Sequence, residues 1–506
     1  MLPDNFDAMI ERENPIELSK AEFQRLGYVL IDKISNFIDS IDDRPVTTKK
    51  TSKECKELLG DDSLPENGKS PTELISKTAD LLFNNSLLNG HPKFMGYITS
   101  SPAPIGALAD LLASSVNPNV GAYILSPVAT EIEKQTIKWL AELIGVSANY
   151  GGILVSGGNM ANFTAYAAAR TAKAPEIKEN GFSNSTKELT VYCSRATHTW
   201  IDKASILFGL GTRSIRWIPT TPSNQINIEI LEKTIKEDLE NGCTPMMLIG
   251  TAGDVSTGAV DNLQDLSKIS KKYDLWFHVD GAYGVPAAVI PSYKNMFEGI
   301  TEADSIALDP HKWLYSPLEA GCTLVKNPQH LIDTFSSHPE YYNFNKEGEK
   351  LHNYYEYGFQ NSRGFRALKV WLTLQHIGRS GYEKLINEDI ELSKMLFELV
   401  KKHPETEPGS QNLSITTFRY IPPGFEKDDS HLNTLNKKLL DVIQAGGEAF
   451  LSNAIMGGNF YLRSCIVNFR TSAKDIQEII EIIVKEGRKV HLDLIKSKDS
   501  LRENIG

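Results

Sequence analysis

The stretch "LWFHVDGAYG", Leu275 to Gly284, sets a short, largely apolar run against an aspartate and then a glycine-rich turn. A run this short between helical stretches reads as a buried strand, with Asp280 at its end. A carboxylate there is costly to bury unless it meets a cation or hydrogen-bond donors. Runs of the same kind lie on either side: "GILVSGG" from Gly152, "LTVYCS" from Leu189, "MMLIGTAG" from Met246 and "DSIALDPHKW" from Asp304. Helical stretches separate them, which predicts an α/β class with a mostly parallel sheet covered on both faces. Each run ends in polar or glycine-rich residues. In such sheets the ligand sits beyond the carboxyl ends of the strands, so these ends should converge on one site.

Farther out, "FRALKVWLTLQHIG" reads as a helix, followed by two strands, "LSITTFRYI" and "YLRSCIVNF", and a last helix carrying Ile476, Ile479, Ile480 and Ile483. That order predicts a smaller α+β domain. Upstream, Thr130 and Glu133 read as a capping box opening a helix with Ile132, Thr136, Trp139, Leu140 and Leu143 facing inward and Gly145 ending it. Near the N-terminus Phe23, Leu26, Leu30, Ile34, Phe37 and Ile41 form one apolar helix face, and Asp42 to Ser70 reads as an extended polar connection. The expected organisation is a helical arm over residues 1–90, a large domain over 91–378 and a small one over 379–506.

The chain has 506 residues, 41% hydrophobic and 23% charged, ordinary values for a globular protein with a large core. Its net charge of -11 excludes a nucleic-acid or anionic-membrane surface as the main partner and leaves a small ligand. No apolar run approaches the roughly 18 residues of a membrane span. The start "MLPDNFDAMIEREN" lacks the basic and apolar segments of a signal peptide, so the cytoplasm is expected. The 5 cysteines are scattered without a CxxC pair, which supports neither a disulfide framework nor a metal site.

Four features at the strand ends carry chemistry. Gly157 and Gly158 stand between a strand and the helix "NFTAYAAAR", where bare backbone N–H groups can hold an anion at a helix N-terminus. His198 follows the second strand, Asp280 the fourth, and Lys312 the fifth. Taken singly, the glycines are also a tight turn, the histidine a structural residue, the aspartate a capped loop residue and the lysine a snorkelling one. Together they describe a site for pyridoxal phosphate. Lys312 condenses with the aldehyde, Asp280 keeps the pyridine nitrogen protonated, the glycine turn holds the phosphate and the imidazole of His198 stacks on the ring.

The same residues carry a resemblance. "HVDGAYG" followed by "LDPHKWL", and preceded by "SGGNMAN" and "THTWIDKA", resembles the pyridoxal-phosphate-dependent group II amino-acid decarboxylases, which act on aromatic amino acids, histidine or glutamate. The resemblance runs from about His91 to Phe469. It implies an aspartate-aminotransferase-like fold (pyridoxal-phosphate fold type I), an obligate homodimer, and loss of CO2 from the α-carbon of an L-amino acid; the apolar helix face near the N-terminus, on its long polar connection, is expected to be buried by swapping the arm onto the partner. It also implies that Gly158, Asn159, Thr251 and His311 surround the phosphate or ring, that Ala282 packs under the ring, and that Asp309 stands where many members have asparagine.

By the same resemblance Tyr354 is the mobile-loop tyrosine that protonates the α-carbon, with Tyr355 and Tyr357 as neighbouring alternatives, in a stretch from Ser336 that lacks periodicity. Arg463 resembles an arginine that meets a substrate carboxylate in glutamate decarboxylases, and a structural ion pair is the alternative. Tyr97 resembles a pocket residue of the aromatic decarboxylases, whereas Ile98 replaces an aromatic and Asn89 stands where those enzymes carry tryptophan. An aromatic L-amino acid is the expected substrate. The alternatives are an acidic amino acid, an oxygen-consuming aldehyde synthase, a transaminase or carbon–carbon lyase, and a catalytically silent pyridoxal-phosphate-binding protein.

Overall fold

The structure is a computed structural model and describes residues 14, 16–182, 188–337, 351–425 and 428–503. The chain divides into two compact units, Met1–Leu88 and Asn89–Gly506. In the first, helix α1 (Lys20–Asp39) starts at Ser19, whose side chain accepts the N–H of Glu22. The connection expected to be extended contains helix α2 (Ser52–Leu59), opened by a reciprocal capping box of Thr51 and Glu54. Helix α3 (Pro71–Asn85) packs on α1, with the rings of Phe37 and Phe83 stacked at 4.4 Å. Leu26 is buried, but Phe23 remains 60% exposed.

The second unit holds two sheets. The larger has seven strands in the order β1-β7-β6-β5-β4-β2-β3. These are β1 (Gly151–Val155), β2 (Glu188–Ser194), β3 (Ile215–Ile218), β4 (Cys243–Thr251), β5 (Trp276–Asp280), β6 (Ser305–Leu308) and β7 (Gly321–Val325). All adjacent pairs are parallel except those of β7, which runs antiparallel to both β1 and β6. Every residue of β5, β6 and β7 is buried, as expected for strands covered on both faces. Thr251 pairs with Asp280 and Asp280 with Ala307, so the carboxyl ends of β4, β5 and β6 lie level. The first residue of β7 presses on the turn after β1: a Cβ on Gly321 would lie 2.6 Å from Gly157 Cα, and only glycine permits that approach.

Helix α4 (Pro127–Leu143) begins before the expected capping box, which is therefore corrected. Thr130 lies inside the helix and its hydroxyl donates to Ser126 O at 2.9 Å. Glu133 faces the core, accepting the N–H of Leu154 at 3.0 Å and pairing with Arg363 at 2.6 Å, both side chains fully buried. Thr136, Leu140 and Leu143 are buried as expected, but Ile137 takes an inward place and Ile132 and Trp139 are only half-buried.

The smaller sheet has four antiparallel strands where the sequence indicated two, in the order β10-β11-β9-β8. They are β8 (Thr406–Asn412), β9 (Ile415–Tyr420), β10 (Ser452–Met456) and β11 (Asn459–Cys465). Helices α5 (Gly158–Lys173) and α6 (Trp200–Leu207) follow β1 and β2. Helix α7 (Ala367–Lys402) leads into the small sheet and is interrupted at Gly378, φ 68°. Helices α8 (Asp429–Gly446) and α9 (Ala473–Glu503) complete the second core, where Ile476, Ile479, Ile480 and Ile483 pack.

Candidate active site

The carboxyl ends of β1, β2, β4, β5 and β6 open on one cavity of about 560 Å³. Its walls include Gly157, Gly158, Asn159, His198, Thr251, Asp280, Ala282, Asp309, His311 and Lys312, and across from the sheet Tyr97, Ile98 and Arg463. Each of these was singled out in the sequence. The convergence follows from the parallel sheet, because these wall residues sit at a strand's carboxyl end, as Thr251 and Asp280 do, or just beyond one.

Lys312 lies in a turn after β6, its N–H donating to Asp309 O at 2.9 Å. Its Nζ is 3.2 Å from Asp309 Oδ2, yet neither oxygen of this fully buried carboxylate receives a well-directed hydrogen bond. Such a group invites a ligand donor. His311 Nδ1 accepts the N–H of Ala320 at 3.0 Å, and burial lowers the imidazole pKa, so the ring is neutral near pH 7 with its proton on Nε2.

Asp280, at the end of β5, is 6% exposed. Its Oδ2 accepts the indole N–H of Trp200 at 2.7 Å and its Oδ1 the N–H of Ala282 at 3.3 Å. His198 stands exposed to the cavity, its Nδ1 accepting the N–H of Trp200 at 3.3 Å. Desolvation lowers the pKa of His198, against the opposing effect of Asp280. At the turn, α5 starts from Gly157 with no side-chain cap, so its first N–H groups are free for an anion. A Cβ on Gly158 would meet Asp309 Oδ2 at 2.7 Å, so the turn stays bare to let backbone and carboxylate share the space. A free cradle of N–H groups, an amine and a buried carboxylate are a donor set that fits pyridoxal phosphate.

Arg463, on β11, is 2% exposed and donates through Nη1 to Tyr97 O at 3.0 Å and Ser452 Oγ at 2.8 Å. Its Nε and Nη2 have no partner, and among the described residues no carboxylate pairs with it. Tyr97 has φ 51°, a left-handed conformation that costs a non-glycine residue on the order of 1 kcal/mol and is often kept at functional sites. The neighbouring Ser452 and Asn453 also line the cavity but were missed, because they belong to β10, which had no visible strand pattern.

Tyr354 is not brought to this cavity. It is 1% exposed, its hydroxyl lacks a partner, and burial pushes its pKa well above the usual tyrosine value. It lines a separate cavity of about 720 Å³ together with Tyr357 and His352. That cavity is larger, but it lies at Gly151 and Gly152, the amino end of β1, away from the loops that carry Lys312. Residues 338–350 of the unpatterned stretch, including Tyr341 and Tyr342, lie outside the described residues.

The chain matches known proteins over most of its length. The pyridoxal-dependent decarboxylase conserved domain matches residues 53–421. An aromatic-L-amino-acid decarboxylase of Bacillus atrophaeus is 36% identical over 469 residues, 92% of this chain and 95% of that one. A phenylacetaldehyde synthase of a Rosa hybrid cultivar is 30% identical, covering 92% of this chain and 94% of that one. The crystal structure of Catharanthus roseus tryptophan decarboxylase with L-tryptophan superimposes with a TM-score of 0.85 at 25% identity, over 94% of this chain and 100% of that one.

Proposed function

Because this chain belongs to the pyridoxal-dependent decarboxylase family and is with it a pyridoxal-phosphate-dependent lyase, we propose that its substrate is an aromatic L-amino acid, converted to the amine and CO2. The observation that carries the reading is the cavity itself, where the Lys312 amine, the Asp280 carboxylate and the open N-terminus of α5 converge. The similarity to the Bacillus atrophaeus enzyme supports the aromatic side chain.

Pyridoxal phosphate, when bound, supplies an electron-poor ring that takes up the electron pair left as CO2 departs. Asp280 keeps the ring nitrogen positive, and its burial strengthens that charge pairing. His198 and Ala282, both in the cavity wall, would flank the ring of the bound cofactor. Lys312 would supply the amine that holds the cofactor aldehyde, and as a free amine it has Asp309 beside it as counter-ion. The unpaired Nε and Nη2 of Arg463 would take the substrate carboxylate, a role supported by the absence, among the described residues, of a carboxylate paired with them. Tyr97 and Ile98 border the space left for the side chain.

The reading extends to a homodimer. The helix Pro104–Val116 exposes Leu108, Leu111, Leu112 and Val116, and the stretch after it exposes Ile124, Leu125 and Val128, an apolar surface that a second copy would cover. A second reading is an aldehyde synthase, favoured by the similarity to the Rosa enzyme. Purified protein given pyridoxal phosphate and L-tryptophan, L-tyrosine, L-phenylalanine or L-glutamate decides among them. Amine and CO2 in equal amounts from an aromatic substrate support the proposal. Aldehyde with peroxide supports the second reading, and turnover of glutamate alone overturns the aromatic assignment.

A further inference from the structure

We propose that Trp200 is a positioning residue that couples the two groups bracketing the cofactor ring, holding the Asp280 carboxylate through its indole N–H and the His198 imidazole through its backbone N–H. The inference rests on the assignment of pyridoxal phosphate to the Lys312 cavity. The indole N–H donates to Asp280 Oδ2 at 2.7 Å, while the backbone N–H donates to His198 Nδ1 at 3.3 Å. Trp200 is fully buried at the start of α6 and Asp280 is buried with it, so the indole bond does not compete with solvent. Its ring cannot turn away easily: it stands edge-on to Tyr166 at 6.4 Å and 84°, and to His278 at 5.9 Å and 82°.

The consequences follow from the chemistry of a charge-assisted hydrogen bond. Donation to Oδ2 makes the carboxylate a weaker base, so the proton it shares with the ring nitrogen stays on the ring. It also fixes the carboxylate plane, leaving Oδ1, held only by the longer bond from Ala282, as the oxygen free to meet that nitrogen. Through the backbone bond, Trp200 sets the tautomer of neutral His198, placing the proton on Nε2. One residue thereby ties ring charge to ring stacking.

The test replaces Trp200 with benzothienylalanine, an isostere with sulfur in place of the N–H, and with fluorotryptophan, which keeps the N–H. Each protein is loaded with pyridoxal phosphate isotopically labelled at the ring nitrogen. In the isostere the nitrogen resonance should move toward the neutral pyridine value, cofactor release should quicken about tenfold, and kcat should fall about tenfold with KM within about twofold. Fluorotryptophan should rescue all three, and Trp200→Phe should reproduce the isostere's shift. An isostere whose resonance and release rate match the unsubstituted protein overturns the inference, even if Trp200→Phe is impaired through packing. Absence of pyridoxal phosphate from Lys312 in the unsubstituted protein would instead remove the site assignment beneath it.

Discussion

Lys312, Asp280 and Arg463 make separate demands on chemistry, and their substitutions should fail in separate ways. Lys312→Ala removes the amine that exchanges with the substrate, and turnover should fall about a thousandfold or more while some cofactor still binds through the turn at Gly158. Arg463→Met should raise KM about tenfold or more with a smaller change in kcat, because a buried pair of donors for the substrate carboxylate is lost; unchanged KM would return Arg463 to a structural role. Tyr354 is the candidate donor from sequence, yet its hydroxyl is buried in another cavity. Tyr354→Phe should therefore form amine at close to the unsubstituted rate, whereas retained CO2 release with lost amine would assign it the proton. At this scale the sequence was most readable where chemistry demands one residue type, as at Lys312 and Asp280. It could not show the bond from Trp200 to Asp280, which joins residues far apart in the chain and depends on where β2 and β5 stop.

At the scale of elements, legibility tracked local pattern. The runs that became β1, β2, β4, β5 and β6 are short, apolar and closed by polar turns, and each formed a strand. Strand β8, "TEPGSQN", carries Pro408 and Gly409, which argue against a strand, and forms as an edge where a proline costs little. The T-x-x-E pattern plays two different parts: at Thr51 it caps a helix in an exposed setting, and at Thr130 the same spacing serves a buried ion pair. Spacing alone does not tell an exposed cap from a core carboxylate. Arg363→Met should destabilise the protein by about 3–5 kcal/mol, measured by denaturant unfolding, since Glu133 would keep a buried, unpaired charge.

A second element-scale expectation concerns pH. Asp389, on α7, accepts the Trp313 indole N–H at 2.8 Å and the Tyr315 hydroxyl at 2.6 Å, tying that helix to the turn of Lys312. Burial pushes its carboxyl up to about 7, against the lowering effect of the donors from Tyr315 and Trp313. The folded value lies above the unfolded one near 3.9, so the contribution of this group is fully present below about pH 4 and is lost as pH rises through about 7. Asp389→Asn removes that loss. The melting temperature of the variant, relative to the unsubstituted protein, should rise between pH 5 and pH 8; a constant difference would contradict the assignment.

The whole molecule comprises a seven-stranded sheet, a smaller four-stranded sheet that supplies Arg463, and a helical N-terminal unit. The N-terminal unit keeps an open apolar cleft lined by Leu30, Ile34, Leu74, Ile75, Leu82 and Phe83. In the proposed homodimer this arm would pack on the second copy, and deletion of residues 1–88 should give aggregation or poor cofactor retention; a soluble, fully active monomer would refute the assembly. The cofactor should be held in the cavity at the strand ends, and not in the larger one at the amino end of β1. Borohydride reduction of the protein loaded with pyridoxal phosphate, followed by peptide mass mapping, tests this most directly. The account predicts the reduced adduct on the peptide containing Lys312, with loss of the yellow absorption; an adduct on any other lysine would contradict it.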